Sequence, residues 1–211
     1  MRNIRTVSGH SGVFVQVGET ISSIGSKMNH VVQNLTNEIT LILLRAPLHT
    51  RGIADALEKS HATVIRRLQE MVRDNVLDST IEGKNKVYFL RKSLEGRNAA
   101  MTAEIYKQSR YVAEYPLLRG VIRTVLDLQE VHLALIFGSY AKGTAHDQSD
   151  IDLFIESEDR TLKKRLEGQH PSLSVKIGAF DRENPLVREI IKDHIILKGV
   201  EAYFEKTSFF T

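Results

Sequence analysis

The sequence predicts an α+β fold in two parts, a three-helix unit closed by a hairpin and then an α/β unit. Three observations predict it. From Asn34 to Arg73 apolar residues recur at helical spacing, broken only near Pro47 and Ser60. Two short β-prone runs follow on either side of a turn at Gly83. Further along, apolar runs of strand length at residues 133–137 and from Ile151 onward bracket a polar segment of glycine, serine and aspartate.

Composition narrows the classes. At 211 residues with 42% hydrophobic content, the chain can bury a core in each of two small domains. It has no cysteine, which excludes disulfides, thiolate zinc sites and cysteine nucleophiles. Arg2 and Arg5 are not followed by an apolar leader, and no run approaches the roughly 18 apolar residues of a membrane span. A cytoplasmic protein with no membrane partner is expected. The net charge of +3 is uneven, roughly +4 up to Glu95 and roughly −1 beyond it, so the first half is the one expected to meet nucleic acid.

Taken in order, residues 1–33 form an extension. Val13, Val15 and Val17 alternate with Phe14 and Gln16, which predicts a strand between Gly12 and Gly18; a hairpin, a dimerisation arm and a tail all stay open. A first helix is predicted over about residues 37–45, stopped by Ala46-Pro47 because the residue before proline leaves the α region. Thr50 is the expected cap of a second helix carrying Ile53, Ala54 and Leu57. Ser60 is the expected cap of a third, whose Val64, Leu68, Met71 and Val72 recur at helical spacing. Residues 76–81 and 86–90 then read as strands joined by Glu82-Gly83-Lys84-Asn85.

This order of helices and hairpin resembles a winged helix-turn-helix domain over residues 34–92. The resemblance implies that the helix after Ser60 is a recognition helix presenting exposed His61, Thr63, Arg66 and Arg67 to the major groove of double-stranded DNA. Lys84 and Lys86 in the wing would reach phosphates or the minor groove. A solvated basic face or a protein-contact module is the alternative. Readers of palindromes are often dimers, so a homodimer is a further expectation.

Residues 93–115 read as a linking helix with a thin stripe of Ile105, Tyr106, Tyr111 and Val112. Pro116 suits the first turn of the next helix, with Leu117, Leu118, Val121, Ile122, Val125 and Leu126 forming an apolar face. A second domain over residues 116–211 opens here. Beyond the central motif, residues 156–169 are charged, with Lys163, Lys164 and Arg165 together, and fit either helix or loop. Residues 172–180 alternate as a strand, Leu173, Val175 and Ile177 on one face and Ser172, Ser174 and Lys176 on the other. A closing helix follows Pro185 with Leu186, Val187, Ile190, Ile191 and Ile195 inward, and His194 is expected at its surface or cap.

The chemistry concentrates between Phe137 and Phe154. Gly138 lets the backbone turn with positive φ or approach a ligand, and Ser139 adds a hydroxyl and an N–H suited to phosphate oxygens. Asp150 and Asp152 lie two apart on a strand, so their carboxylates share a face roughly 6.6 Å apart at the backbone, while Ile151 and Leu153 face a core. Such a pair suits a hard cation such as Mg²⁺. A Walker-type loop fits worse, because Lys142 precedes the second glycine, Gly143.

Gly138-Ser139, ten residues from Tyr140 to Ser149, then Asp150-Ile151-Asp152 resembles the nucleotidyltransferase superfamily of the DNA polymerase β type. The resemblance implies a mixed sheet, Mg²⁺ held by catalytic Asp150 and Asp152, and ATP or another nucleoside triphosphate contacted by Gly138, Ser139, Lys142 and Ser149. A nucleoside monophosphate, AMP in the first instance, would pass to a hydroxyl acceptor. The domain is similar to minimal nucleotidyltransferases that act as antitoxins by adenylylating a toxin, so the acceptor is expected to be a protein. Relatives usually carry a third carboxylate on the following strand, where this chain has Ser172, Ser174 and Lys176; the nearest acid is Asp181. The competing expectation is therefore a DNA-binding regulator whose transferase-like domain is catalytically weak and senses nucleotide or mediates assembly.

Overall fold

The structure is a computed structural model and describes residues 34–210. The strand expected between Gly12 and Gly18 lies outside them. Residues 34–45 are helical (α1) and stop where Pro47 approaches. Then come β1 (Leu48–His49), α2 (Thr50–Leu57), α3 (His61–Arg73), β2 (Leu77–Glu82) and β3 (Asn85–Leu90). Ser60 caps α3 as expected, its hydroxyl accepting from the Thr63 amide at 3.2 Å. The cap of α2 is a correction: His49, not Thr50, fills it, with Nδ1 accepting from Gly52 N at 2.9 Å. An imidazole in extended backbone presents its lone pair as an asparagine would. The three strands order as β1-β3-β2, all antiparallel. Two-residue β1 has too few residues to show alternation in the sequence. Ile39, Ile53, Val64, Leu68, Met71, Leu77 and Leu90 fill the core between the helices and this sheet.

The second half runs α4 (Leu94–Glu114), α5 (Leu118–Asp127), β4 (Ala134–Phe137), α6 (Gly138–Lys142), β5 (Ile151–Glu156), α7 (Thr161–Gln169), β6 (Leu173–Gly178), α8 (Pro185–Lys192), β7 (Ile195–Lys198) and α9 (Val200–Lys206). Its sheet orders β6-β5-β4-β7 and is mixed: β5 and β6 are parallel, whereas β4 is antiparallel to both β5 and β7. One face presents Ile136, Leu153, Val175 and Ile195 to α5 and α7, and the other presents Leu135, Phe137, Phe154 and Ile196 to α4, α8 and α9. The architecture is α+β throughout, a winged-helix-like unit followed by a mixed-sheet α/β unit.

Several sequence expectations change here. Ile195 belongs to β7 rather than to the closing helix, which ends at Lys192. Ile195, Ile196 and Leu197 are all buried, and an apolar run covered on both faces carries no period that separates strand from helix. His194 is buried, not at the surface. On α4 the buried face is Gly96, Ala100, Ala103 and Glu104, while Ile105 is 55% exposed. Leu117 and Leu126 are about half exposed, because Pro116 and Leu117 precede α5 and the helix buries Leu118, Val121 and Val125. The charged stretch resolves as α7, with Lys163 paired to Glu167 and Arg165 to Glu130. No helix among the described residues is long and apolar enough to cross a membrane.

Candidate functional site

The antiparallel pairing of β4 with β5 places Phe137 opposite Asp152, so the chain leaves the sheet at Gly138 directly beside that carboxylate. Gly138 has φ +70°, and a Cβ built on it would run into Asp152 Oδ2. Both facts demand glycine. The short α6 then carries Ser139 and Lys142, the latter exposed in its last turn, and Gly143 at φ +68° ends it. Thr144 N donates to Ser139 O at 3.0 Å, which closes the turn.

The return loop is tied to itself. Ser149 Oγ accepts from His146 N at 3.0 Å, and Ser149 N donates to His146 O at 2.8 Å. Ser149 thus fixes the loop that delivers Asp150 to the start of β5. Asp150 is exposed and Asp152 half-buried on the same side of the strand, with Ile151 and Leu153 buried opposite. The sheet therefore brings together Gly138, Ser139, Asp150 and Asp152.

Burial pushes the Asp152 carboxyl above the usual carboxylate range, and the Asp150 charge adds to this, against a hydrogen bond from Ser174 and the Lys176 ammonium. Ser174 stands in register with Asp152 across the parallel β5–β6 pair, and Lys176 two residues on is exposed. Ser174 is not among the candidate site residues, although alternation places it on the polar face of the strand that runs beside Asp152. Asp181 stays in a local turn, its Oδ1 accepting from Glu183 N at 3.0 Å. Among the described residues no group of three His, Asp or Glu side chains gathers at metal-binding spacing. Two carboxylates on one side of a strand, one of them half-buried, are hard oxygen donors of the kind that would hold a magnesium ion.

On the winged-helix side, His61 and Arg66 are exposed on α3, and Lys84 and Lys86 are exposed on the turn and β3. Lys86 Nζ lies 5.4 Å from the centroid of the Tyr88 ring. Thr63 is half-buried, its hydroxyl 2.8 Å from Ser60 Oγ. Arg67 is not on the exposed face expected for it: its Nη1 is 2.7 Å from Glu70 Oε2 and its Nε donates to Thr36 Oγ1 at 2.7 Å, pinning α3 to α1.

Solved structures similar to this chain are distant. The adhesin competence repressor of Streptococcus pyogenes is 18% identical at a TM-score of 0.38, over 52% of this chain and 84% of that one. The homodimeric winged helix-turn-helix DNA-binding domain of a possible ArsR-family regulator from Mycobacterium bovis is 17% identical at 0.30, over 54% and 95%. A toxin–antitoxin structure with AMP-PNP is 22% identical at 0.30, over 48% and 85%. No curated protein matches. The model of the family "Polymerase beta, Nucleotidyltransferase" matches residues 121–201, the segment that holds most of α5, all four strands of the mixed sheet and both aspartates. With the Gly-Ser turn packed against the aspartate strand as that sheet requires, residues 121–201 are a nucleotidyltransferase domain of the polymerase beta type.

Proposed function

We propose that the chain is a Mg²⁺-dependent nucleotidyltransferase that moves a nucleoside monophosphate, AMP in the first instance, from a triphosphate to a hydroxyl on a protein acceptor such as a toxin, and that its winged helix binds duplex DNA. The observation that carries the first part is the Asp150–Asp152 pair beside Gly138-Ser139 within the matched domain. The Ser139 hydroxyl and the first amides of α6 contact the β and γ phosphates, and Lys142 offsets charge on the departing pyrophosphate. A bound Mg²⁺ supplies Lewis-acid polarisation of the phosphoryl oxygens. Asp150 and Asp152 hold it. The acceptor oxygen bonds to the α-phosphorus, the bond to pyrophosphate breaks, and, with Ser172, Ser174 and Lys176 rather than a carboxylate on the polar side of the neighbouring strand, the hydroxyl proton leaves to water.

Titration calorimetry of ATP with Mg²⁺ tests the site. Binding to the wild type that vanishes in Asp150→Ala/Asp152→Ala, together with transfer of label from α-labelled ATP to an acceptor, supports the proposal. Failure of the wild type to bind sinks it. A second reading rests on Ser174 and Lys176 beside the aspartates: a DNA-binding regulator whose transferase-like domain is slow and serves nucleotide sensing or assembly. A salt-sensitive duplex footprint without pyrophosphate release favours that reading. A homodimer and a cytoplasmic location belong to both.

A further inference from the structure

Helix α4 buries Gly96, Ala100, Ala103 and Glu104 along one side. On the side turned away from them, Leu94, Asn98, Met101, Ile105, Ser109 and Val112 fall within about 80° of the helix circumference. None of the six is charged, in a chain that is 26% charged. Leu94 is 67% and Ile105 55% exposed, Asn98 and Ser109 are exposed, and Met101 and Val112 are half-buried. The stripe runs about 27 Å along the helix.

Charges flank this stripe without entering it. On one flank Tyr106 Oη donates to Glu38 Oε1 at 3.2 Å and Arg110 pairs with the same carboxylate, both reaching α1. On the other, Arg97 lies 3.5 Å from Glu201 and 3.7 Å from Glu205 on α9. All of these are engaged within the chain, and Ser109 Oγ donates to Ile105 O at 3.1 Å. Covering the stripe therefore strands no charge and no hydroxyl proton. A charge-free centre inside a polar rim is the anatomy of a protein interface.

The spacing says which protein fits. Leu94, Met101, Ile105 and Val112 are separated by seven, four and seven residues, the same read from either end. Two copies of α4 laid antiparallel about a two-fold axis at the height of Ala103 bring Leu94 opposite the second copy's Val112 and Met101 opposite its Ile105. The same operation sets Asn98 beside the second copy's Ser109, whose oxygen lone pairs are free to accept from the amide. Like charges stay apart: the two Glu95 side chains are offset by about 24 Å along the axis and the two Arg97 side chains by about 18 Å. A parallel pair would instead seat Gln108 in the seam, and its amide is already donated to the Ile196 and Leu197 carbonyls at 2.9 and 3.1 Å.

We infer that the outer face of α4 is an isologous interface, covered by the same face of a second copy of this chain running antiparallel. This names the face of the homodimer proposed above and needs no nucleotide. A monomer that still binds ATP with Mg²⁺ sinks the inference and leaves the transferase proposal standing.

Sedimentation equilibrium of the full chain at roughly tens of micromolar, a range suited to a small interface, is the first test. A mass twice that of one chain is expected. Ile105→Arg, which alters an exposed side chain, should raise the dissociation constant at least tenfold with an unchanged circular dichroism spectrum. Leu126→Arg, at a 48% exposed position on α5, should dimerise as the wild type does. Because the chain has no cysteine, introduced ones report the orientation. Leu94→Cys/Val112→Cys should oxidise to a covalent dimer, whereas Leu94→Cys alone should not, its two copies lying about 27 Å apart and beyond disulfide reach. A monomeric wild type, as when another segment of the chain or a different protein covers the stripe, would overturn the inference. So would a dimer that survives Ile105→Arg, or one that Leu94→Cys alone cross-links as fast as the double variant does. Should Ile105→Arg lose its helical signal, the cysteine variants decide.

Discussion

Gly138 stands so close to Asp152 that a methyl group on its α-carbon would overlap the carboxylate oxygen Oδ2. The turn that faces phosphate and the strand that faces metal are therefore one packed unit. Gly138→Ala should do two kinds of damage. The left-handed backbone at φ +70° costs about 1–2 kcal/mol for a residue with a Cβ, and the displaced carboxylate loses its geometry. Metal-dependent nucleotide binding should drop at least tenfold while the chain stays folded. Wild-type affinity in this variant, read by calorimetry, would show that Asp152 need not stand where it does.

Ser174 occupies the strand position in register with Asp152, and Lys176 adds a cation nearby. Installing a carboxylate with Ser174→Asp while removing the ammonium with Lys176→Ser should strengthen Mg²⁺ binding. Transfer from α-labelled ATP should rise on the order of a hundredfold, the low end of what a positioned base contributes. A rate equal to or below wild type would mean that β6 is too far from the reacting atoms to act.

Arg66 and Arg67 are neighbours in sequence with opposite surroundings. Arg66→Ala should weaken duplex binding and reduce the salt slope by about 1, with no loss of stability. Arg67→Ala should cost about 1–2 kcal/mol of stability, because it removes the hydrogen bond to Thr36 and the ion pair with Glu70 that hold α1 to α3. Denaturant titration and binding isotherms across a salt series separate the two. Equal effects of both on DNA affinity would count against the exposed-face assignment.

Burial and the Lys107 charge hold the His194 pKa below its usual 6.5, against the pull of Glu104. A proton therefore binds the unfolded chain more readily than the folded one. Stability should be full above about pH 6.5 and fall as pH drops from there through the lower folded value. Glu104 is also held below its usual range, its burial outweighed by the neighbouring His194 and the Lys107 ammonium, and this extends the loss into more acid solution. His194→Gln should flatten the first part of this profile in thermal melts. A wild-type melting temperature that does not change from pH 7 to pH 5.5 would contradict a neutral buried imidazole.

Much of this was legible in the chain, for identifiable reasons. The helices after Ser60 and Pro185 begin where short polar caps and N1 proline direct them. The aspartate strand was legible because alternation separates Asp150 and Asp152 from Ile151 and Leu153. What escaped was set by tertiary contact. Strand β1 exists only because Leu48 and His49 meet Tyr88 and Val87, and β7 only because it pairs with β4. Glu104, Lys107 and His194 come from two segments far apart, and an isolated charged residue on an Ala-rich helix reads as surface. Arg67 looked like its neighbour Arg66 until Thr36 was brought beside it.

Leu44 and Phe209 each pack against the core of the winged helix and against the sheet face beneath α8 and α9, and Phe209 also meets Phe204 and Phe210 edge to face. Neither half completes its interior without the other's contribution. Unfolding in urea should accordingly be one cooperative event, with fluorescence and circular dichroism transitions coinciding and an m-value set by the whole described chain rather than by either half. Separate transitions would show that the shared side chains contribute little. A cut between β3 and α4 should release two fragments that expose an apolar seam and associate through it.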